Sequence, residues 1–314
     1  SPELLTKIDP ASGDLSAIER YGLVDDTWAS VVSGDTAASE FVAFARGFAD
    51  ETDAEVWGQL TGCLASLDRL LDGEGREAMR AVVRDLVGPA LDRIGWEPAE
   101  GQTSRDLELR GTLIRALAVT GNGDSARDRA RSLHARYLED PGSIDANVAA
   151  AVTGVVANGG SDADYDTFIQ RFKSPLDPQE EQRYLRTLPG FPSSQQMDRT
   201  LAMTLNGEMR TQDAPYLLAG CMVNRENGPQ AWAFIRDNWD AINTAFPSNS
   251  IVRMLSGVRA LSKRELADEV LAFFEEHEVP QGALSLAQHL ERLRINVALR
   301  ERESERLAAA LTRV

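Results

Sequence analysis

Apolar residues recur every three or four positions along most of the chain, the period of helices that bury one face. Val56, Leu60, Leu64, Leu67 and Leu71 form one such stripe. Thr52 and Glu55 precede it in capping-box spacing, and Gly73 is expected to end it. Met79, Val83, Leu86 and Val87 mark the next helix, which Pro89 is expected to kink and Gly95 to close. Ser104 is the expected cap of a helix carrying Leu113, Ile114 and Leu117, stopped by Gly121. The pattern continues over Ser125–Glu139, Ser143–Asn158, Ser161–Phe172, Asp177–Leu188, Ser194–Leu205 and Asp213–Val223. Gly, Pro or Ser bounds most of these segments.

The last third is the most regular. Trp232, Ile235, Trp239 and Ile242 follow the i, i+3, i+7, i+10 spacing of one helical face. Ser262 and Glu265 form a second expected capping box, ahead of Leu266, Val270, Phe273 and Phe274. A long final helix is predicted from about Ala283 to Leu311. Its stripe of Leu286, Leu290, Leu293 and Val297 is interrupted at Arg300, Glu301 and Ser304, so its middle is expected to face solvent or a cavity. Strand signals are nearly absent; Ala151-Val-Thr-Gly-Val-Val reads equally well as buried helix. Many helices joined by short loops predict an all-α chain, an α-solenoid of antiparallel helix pairs. No strict repeat signature recurs, so the repeat is of the degenerate HEAT or armadillo kind. One helical domain is expected over residues 1–314, with 1–14 as a linker from a preceding domain, because no internal linker is visible.

Composition narrows the function. The net charge of −16 opposes binding to phosphate backbones, so no nucleic-acid partner is expected. No run of about 18 apolar residues is present, and no membrane partner is expected. Two isolated cysteines, Cys63 and Cys221, make no disulfide framework and fit a reduced, cytoplasmic setting. The chain opens on Ser1-Pro-Glu-Leu-Leu rather than on Met, as expected of a piece of a longer protein.

Catalytic patterns are missing. A zincin helix needs two histidines four residues apart, with a glutamate beside the metal-bound water. The three histidines, His134, His277 and His289, include no such pair. Glu275-Glu276-His277-Glu278 is rich in ligands, but its place before Pro280 reads as a solvated helix end. Cys63 and Cys221 lie on apolar faces and read as core. No Gly-x-Ser-x-Gly elbow occurs. Gly73-Glu-Gly75 and Gly121-Asn-Gly123 have neither a preceding strand nor a following Lys, and read as turns.

Several segments, in order, carry a resemblance. They are Arg20-Tyr-Gly-Leu-Val-Asp-Asp-Thr-Trp-Ala29, Asp53-Ala-Glu-Val-Trp57 and Arg210-Thr-Gln212-Asp213. After them come Asn227-Gly228-Pro-Gln-Ala231-Trp232 through Asn238-Trp239-Asp240, then Leu266 to Phe274, Gln288 and Asn296. Together they resemble the C-terminal helical domain of aminopeptidase N-type zinc aminopeptidases over about Ser16 to Leu311. The resemblance implies a right-handed, bowl-shaped superhelix that closes over a catalytic domain, encloses a chamber and contacts the distal part of a peptide. It implies zinc in the parent's catalytic domain and no cofactor in this chain. The implied partners are the catalytic and N-terminal domains of the same polypeptide, and peptide substrates.

On that reading Arg210, Gln212, Asp213, Arg225, Arg253, Arg300 and Glu301 are the candidate chamber-lining residues. Four of them have a plainer alternative. Arg210, Gln212 and Asp213 stand where a helix cap with ion pairing would. Arg253, among apolar neighbours, is expected to pair with a buried carboxylate or to meet a peptide carboxylate. Trp57, Trp232 and Trp239 are expected in the core. Two rival functions remain at this point: a stand-alone α-solenoid that binds a protein partner, and a hydrolase built on clustered carboxylates.

Overall fold

The computed structural model describes residues 15–313, and among them there are only helices, turns and loops. The expected linker, residues 1–14, lies outside the described residues. Tertiary contacts group the chain into two compact units, one reaching Val156 and resuming at Glu301, the other spanning Ala157–Arg300. Neither junction has a linker. They fall inside α7 (Ala146–Asn158) and α16 (Ala283–Leu311), which run through them unbroken.

The first unit opens with α1 (Ala17–Ser33), α2 (Ala38–Arg46), α3 (Ala54–Asp68) and α4 (Gly73–Ile94). Then come α5 (Ser104–Arg115), a π-helical turn (Ala116–Thr120) and α6 (Asp124–Glu139). Helix α3 packs against α1 and α5, its next-but-one neighbours, as well as against α2 and α4. Its predicted stripe of Val56, Leu60, Leu64, Leu67 and Leu71 is wholly buried. Each such side chain contributes about 1.5–3 kcal/mol when removed from water. Trp57 is fully enclosed, and its indole donates to the Glu51 carbonyl at 2.9 Å.

Two boundaries differ from expectation. The cap of α3 is Asp53, whose carboxylate accepts from the amides of Glu55 (2.9 Å) and Val56 (3.3 Å). An ionised acceptor one residue later outcompetes the Thr52 hydroxyl. Gly73 does not end this helix but starts α4, at φ 53°. Helix α4 continues through Pro89 to Gly95, which closes it as expected. The cap of α5 is Thr103 rather than Ser104, in a reciprocal box with Asp106.

The second unit contains α8 (Asp162–Lys173), α9 (Pro178–Thr187), α10 (Ser194–Met203) and α11 (Ala214–Val223). It continues with α12 (Gly228–Asp237), α13 (Trp239–Ala245), α14 (Ser248–Met254) and α15 (Arg264–Glu276). Helix α11 is its centre, packing on α9, α10, α12, α14 and the 3-10 turn Leu255–Ala260. The Trp232 to Ile242 stripe is buried, yet Asn238 breaks it into two helices at φ −114°, ψ 20°. Apolar spacing registers the face and is blind to one non-helical residue. Ser262 does not cap α15; Lys263 holds that position, and the Ser262 hydroxyl accepts from Arg300 at 3.0 Å. In the middle of the final helix Glu301 is exposed and Arg300 and Ser304 are half-buried, but the helix keeps a buried edge, with Leu299 and Glu303 at 4% and 2% exposure.

Candidate functional site

The second unit brings several of the predicted residues to one end of α11. The chain approaches through a turn with Gly207 at φ 86°. Arg210 then reaches two carboxylates, Glu181 on α9 and Asp213 at 3.3 Å. The Glu181 hydrogen bond, helped by the negative charge of Asp213, raises the Arg210 pKa above its usual value. Asp213 precedes the helix in αR geometry, and its side chain makes no cap bond. The alternative of a side-chain cap is therefore set aside, and the ion pairing is retained. Gln212 is exposed beside them.

Helix α11 buries Ala214, Pro215, Leu217, Leu218, Cys221 and Met222. The remaining residues, Tyr216, Ala219, Gly220 and Val223, fall on one strip at helical spacing, exposed at its two ends and half-buried at Ala219 and Gly220, which packs on Pro189. Tyr216 is 46% and Val223 49% exposed. On α14, Ile251, Val252 and Met254 turn inward, as does Leu255 at the start of the 3-10 turn, and Arg253 turns outward. The Arg253 guanidinium donates to the Tyr216 hydroxyl oxygen. Arg253 makes no ion pair among the described residues, so the expected buried carboxylate is absent; an exposed phenol takes its place. The Tyr216 proton remains available, and the pair presents donors to a ligand carrying carbonyl or carboxylate oxygens.

The other candidates lie apart from this end. Arg225 is in the turn after α11, about 15 Å along the helix axis from its start, and sits 3.5 Å from Glu226. Asn224 fixes that turn: its amide donates to the carbonyls of Pro189 (2.7 Å) and Phe191 (3.1 Å). Its oxygen accepts from the amides of Glu226 (2.9 Å) and Asn227 (2.8 Å). Arg300 is engaged with Ser262, and Glu301 belongs to the other unit. Sequence reasoning missed Tyr216. Its signal was an aromatic three residues after Asp213, off the apolar face of its helix.

Nothing in this strip resembles a nucleophile with a base. Burial pushes the Cys63 thiol up to about 12 and raises that of Cys221 further. Both cysteines are free and buried, as core residues are. Of the histidines, His134 is buried and stacks on Tyr137, while His277 stacks on Phe273 with ring centroids 3.9 Å apart. Among the described residues no three His, Cys, Asp or Glu side chains are grouped to hold a metal ion.

A family model described as the ERAP1-like C-terminal domain matches residues 1–295. The chain belongs to the ERAP1-like C-terminal domain family. This ERAP1-like domain is 27% identical over 294 residues to Aminopeptidase M1-B of Oryza sativa subsp. japonica, covering 90% of the chain and 33% of that protein. It is 28% identical over 295 residues to Aminopeptidase M1 of Arabidopsis thaliana, covering 91% of the chain and 33% of that protein. With the alanine/arginine aminopeptidase of Saccharomyces cerevisiae it shares 26% identity over 320 residues, 99% of the chain and 37% of that protein. The ERAP1-like domain thus spans about a third of the length of these relatives.

Proposed function

We propose that this chain is the non-catalytic C-terminal domain of a zinc aminopeptidase. It encloses the active-site chamber and contacts the distal part of a peptide while the N-terminal residue is removed elsewhere in the polypeptide. The observation that carries this reading is the match of an ERAP1-like C-terminal domain to a chain spanning only a third of its aminopeptidase relatives. The catalytic zinc is that of the parent's catalytic domain; the three histidines of this chain include no pair four residues apart, the spacing a zincin helix needs. The helices are of the α-solenoid, HEAT-like kind in a single helical domain, the parent is cytoplasmic, and peptides are its substrates.

Within the domain, the α11 strip with Arg210, Gln212, Asp213, Tyr216 and Arg253 is the surface that meets peptide. Donors held on rigid helices suit peptide carbonyls, and binding energy gathered away from the scissile bond supports positioning. Arg225, Arg300 and Glu301 extend the chamber lining.

The test compares aminoacyl fluorogenic substrates with longer peptides. Three samples are used: this chain alone, the parent lacking it, and the two mixed. The reading expects an inert chain, a deleted parent that fails on longer peptides, and recovery on mixing. A deleted parent with full activity on every substrate would sink it and leave a stand-alone interaction module.

A further inference from the structure

Near its C-terminal end the last helix carries a pair of adjacent charged residues, Arg302 and Glu303, that serve two different helix ends. Arg302 donates from Nη2 to the carbonyls of Val31 (2.7 Å) and Val32 (3.2 Å), at the C-terminus of α1. Glu303 accepts from the Ala38 amide at 2.9 Å, at the N-terminus of α2. Arg302 Nε also lies 3.1 Å from Glu303 Oε1. The signs match the helix dipoles: a cation meets the carbonyl end and an anion meets the amide end.

The turn between α1 and α2 is shaped to admit this pair. Gly34 closes α1 at φ 94°, and a Cβ there would stand 3.2 Å from the Arg302 guanidinium. Farther along the helix, Leu307 is fully buried, and Ala308 lies so close to Gly75 that a Cβ there would be 2.7 Å away. The Glu303 side chain is only 3% exposed. A carboxylate buried to that degree is tolerated because the Ala38 amide and Arg302 satisfy it; removing either leaves a desolvated group unpaired. Arg302, Glu303, Leu307 and Ala308 lie beyond residue 295, where the family match stops.

We propose that Arg302 and Glu303 form a clasp that sets the α1–α2 corner, so that the corner opens and closes with docking of the C-terminal end of the last helix. The N-terminal corner is completed only by residues more than 260 positions later in the chain. Local opening of that corner and undocking of residues 301–311 are one cooperative event.

The test is amide hydrogen exchange on the full chain, read over residues 30–48, for Glu303→Ala and Arg302→Ala. Arg306→Ala, exposed on the same helix, is the control. Each clasp variant is expected to accelerate exchange over 30–48 by about tenfold while helices α9 to α14 keep their protection. The control is expected to change neither. Unchanged exchange over 30–48 in both variants overturns the clasp. So does an equal acceleration throughout Ala157–Arg300, which marks general destabilisation. If Glu303→Ala does not fold, Glu303→Gln keeps an acceptor oxygen and removes the charge. It is expected to give a smaller acceleration confined to 30–48, and no change there overturns the proposal.

Discussion

Glycine in the interior of α3 offers a test of how far local geometry predicts stability. Gly58 and Gly62 are exposed on the outer face of that helix, and a Cβ on either would meet nothing within 4 Å. Neither has a left-handed backbone. Each therefore carries the backbone entropy of glycine without a steric reason. Alanine at each site should stabilise by about 0.5–1 kcal/mol, and at both by about 1–2 kcal/mol. The same change at Gly257 should act oppositely. A Cβ there would stand 2.6 Å from the Ala219 carbonyl oxygen and 2.8 Å from Met222 Cε. The methionine end can swing aside, but the α11 backbone is held in its own helix. Overpacking of this kind costs about 1–3 kcal/mol. Urea unfolding followed by far-UV circular dichroism measures all three, with stability taken from the midpoint at unchanged m-value. A loss of stability in Gly58→Ala, or neutrality in Gly257→Ala, would refute the reasoning.

Other measurements bear on separate parts of the molecule. Burial raises the Glu51 pKa, but the Arg20 ion pair (2.6 Å) and the amides of Asp53 and Thr52 outweigh it and bring it below the usual carboxylate value. A carboxylate lowered on folding stabilises above its unfolded pKa and loses that contribution as pH falls through its folded pKa. Glu51→Gln should therefore flatten the acid limb of a stability–pH curve, and an unaltered limb would count against the pair. Both thiols, with Cys63 near 12, should stay unmodified by a disulfide reagent at pH 8 until denaturant is added. Rapid labelling of the folded chain would contradict their burial. Asp53→Ala should cost about 1 kcal/mol of stability through loss of the α3 cap, measured by the same urea method. In the parent enzyme, Tyr216→Phe should raise KM for longer peptides about threefold and leave short aminoacyl substrates unaltered; equal effects on both would remove the strip from the peptide-binding reading.

The helical class and most helix bounds were legible because amphipathic periodicity is a local property. The final helix, Ala283–Leu311, matches its predicted ends. The buried stripes of α3 and of Trp232 to Ile242 were likewise readable from spacing alone. Caps were less legible. Thr52 and Asp53 stand side by side, as do Ser262 and Lys263, and the choice between them turns on one residue's backbone angles and on which partner competes for the hydroxyl. At the candidate site, the charged residues around Arg210 were visible as a run, whereas the partner of Arg253 was not.

The sequence by itself determined that this protein is a chain of amphipathic helices with a buried aromatic and aliphatic interior, a family resemblance and no histidine pair at zincin spacing. Only the tertiary structure decided which charges meet. Arg253 finds Tyr216 thirty-seven residues away, and Glu303 finds the Ala38 amide 265 residues away. Apolar spacing records which face of a helix is dry, since that follows from 3.6 residues per turn. A hydrogen bond between distant residues depends on where whole helices come to rest, and no local pattern encodes that.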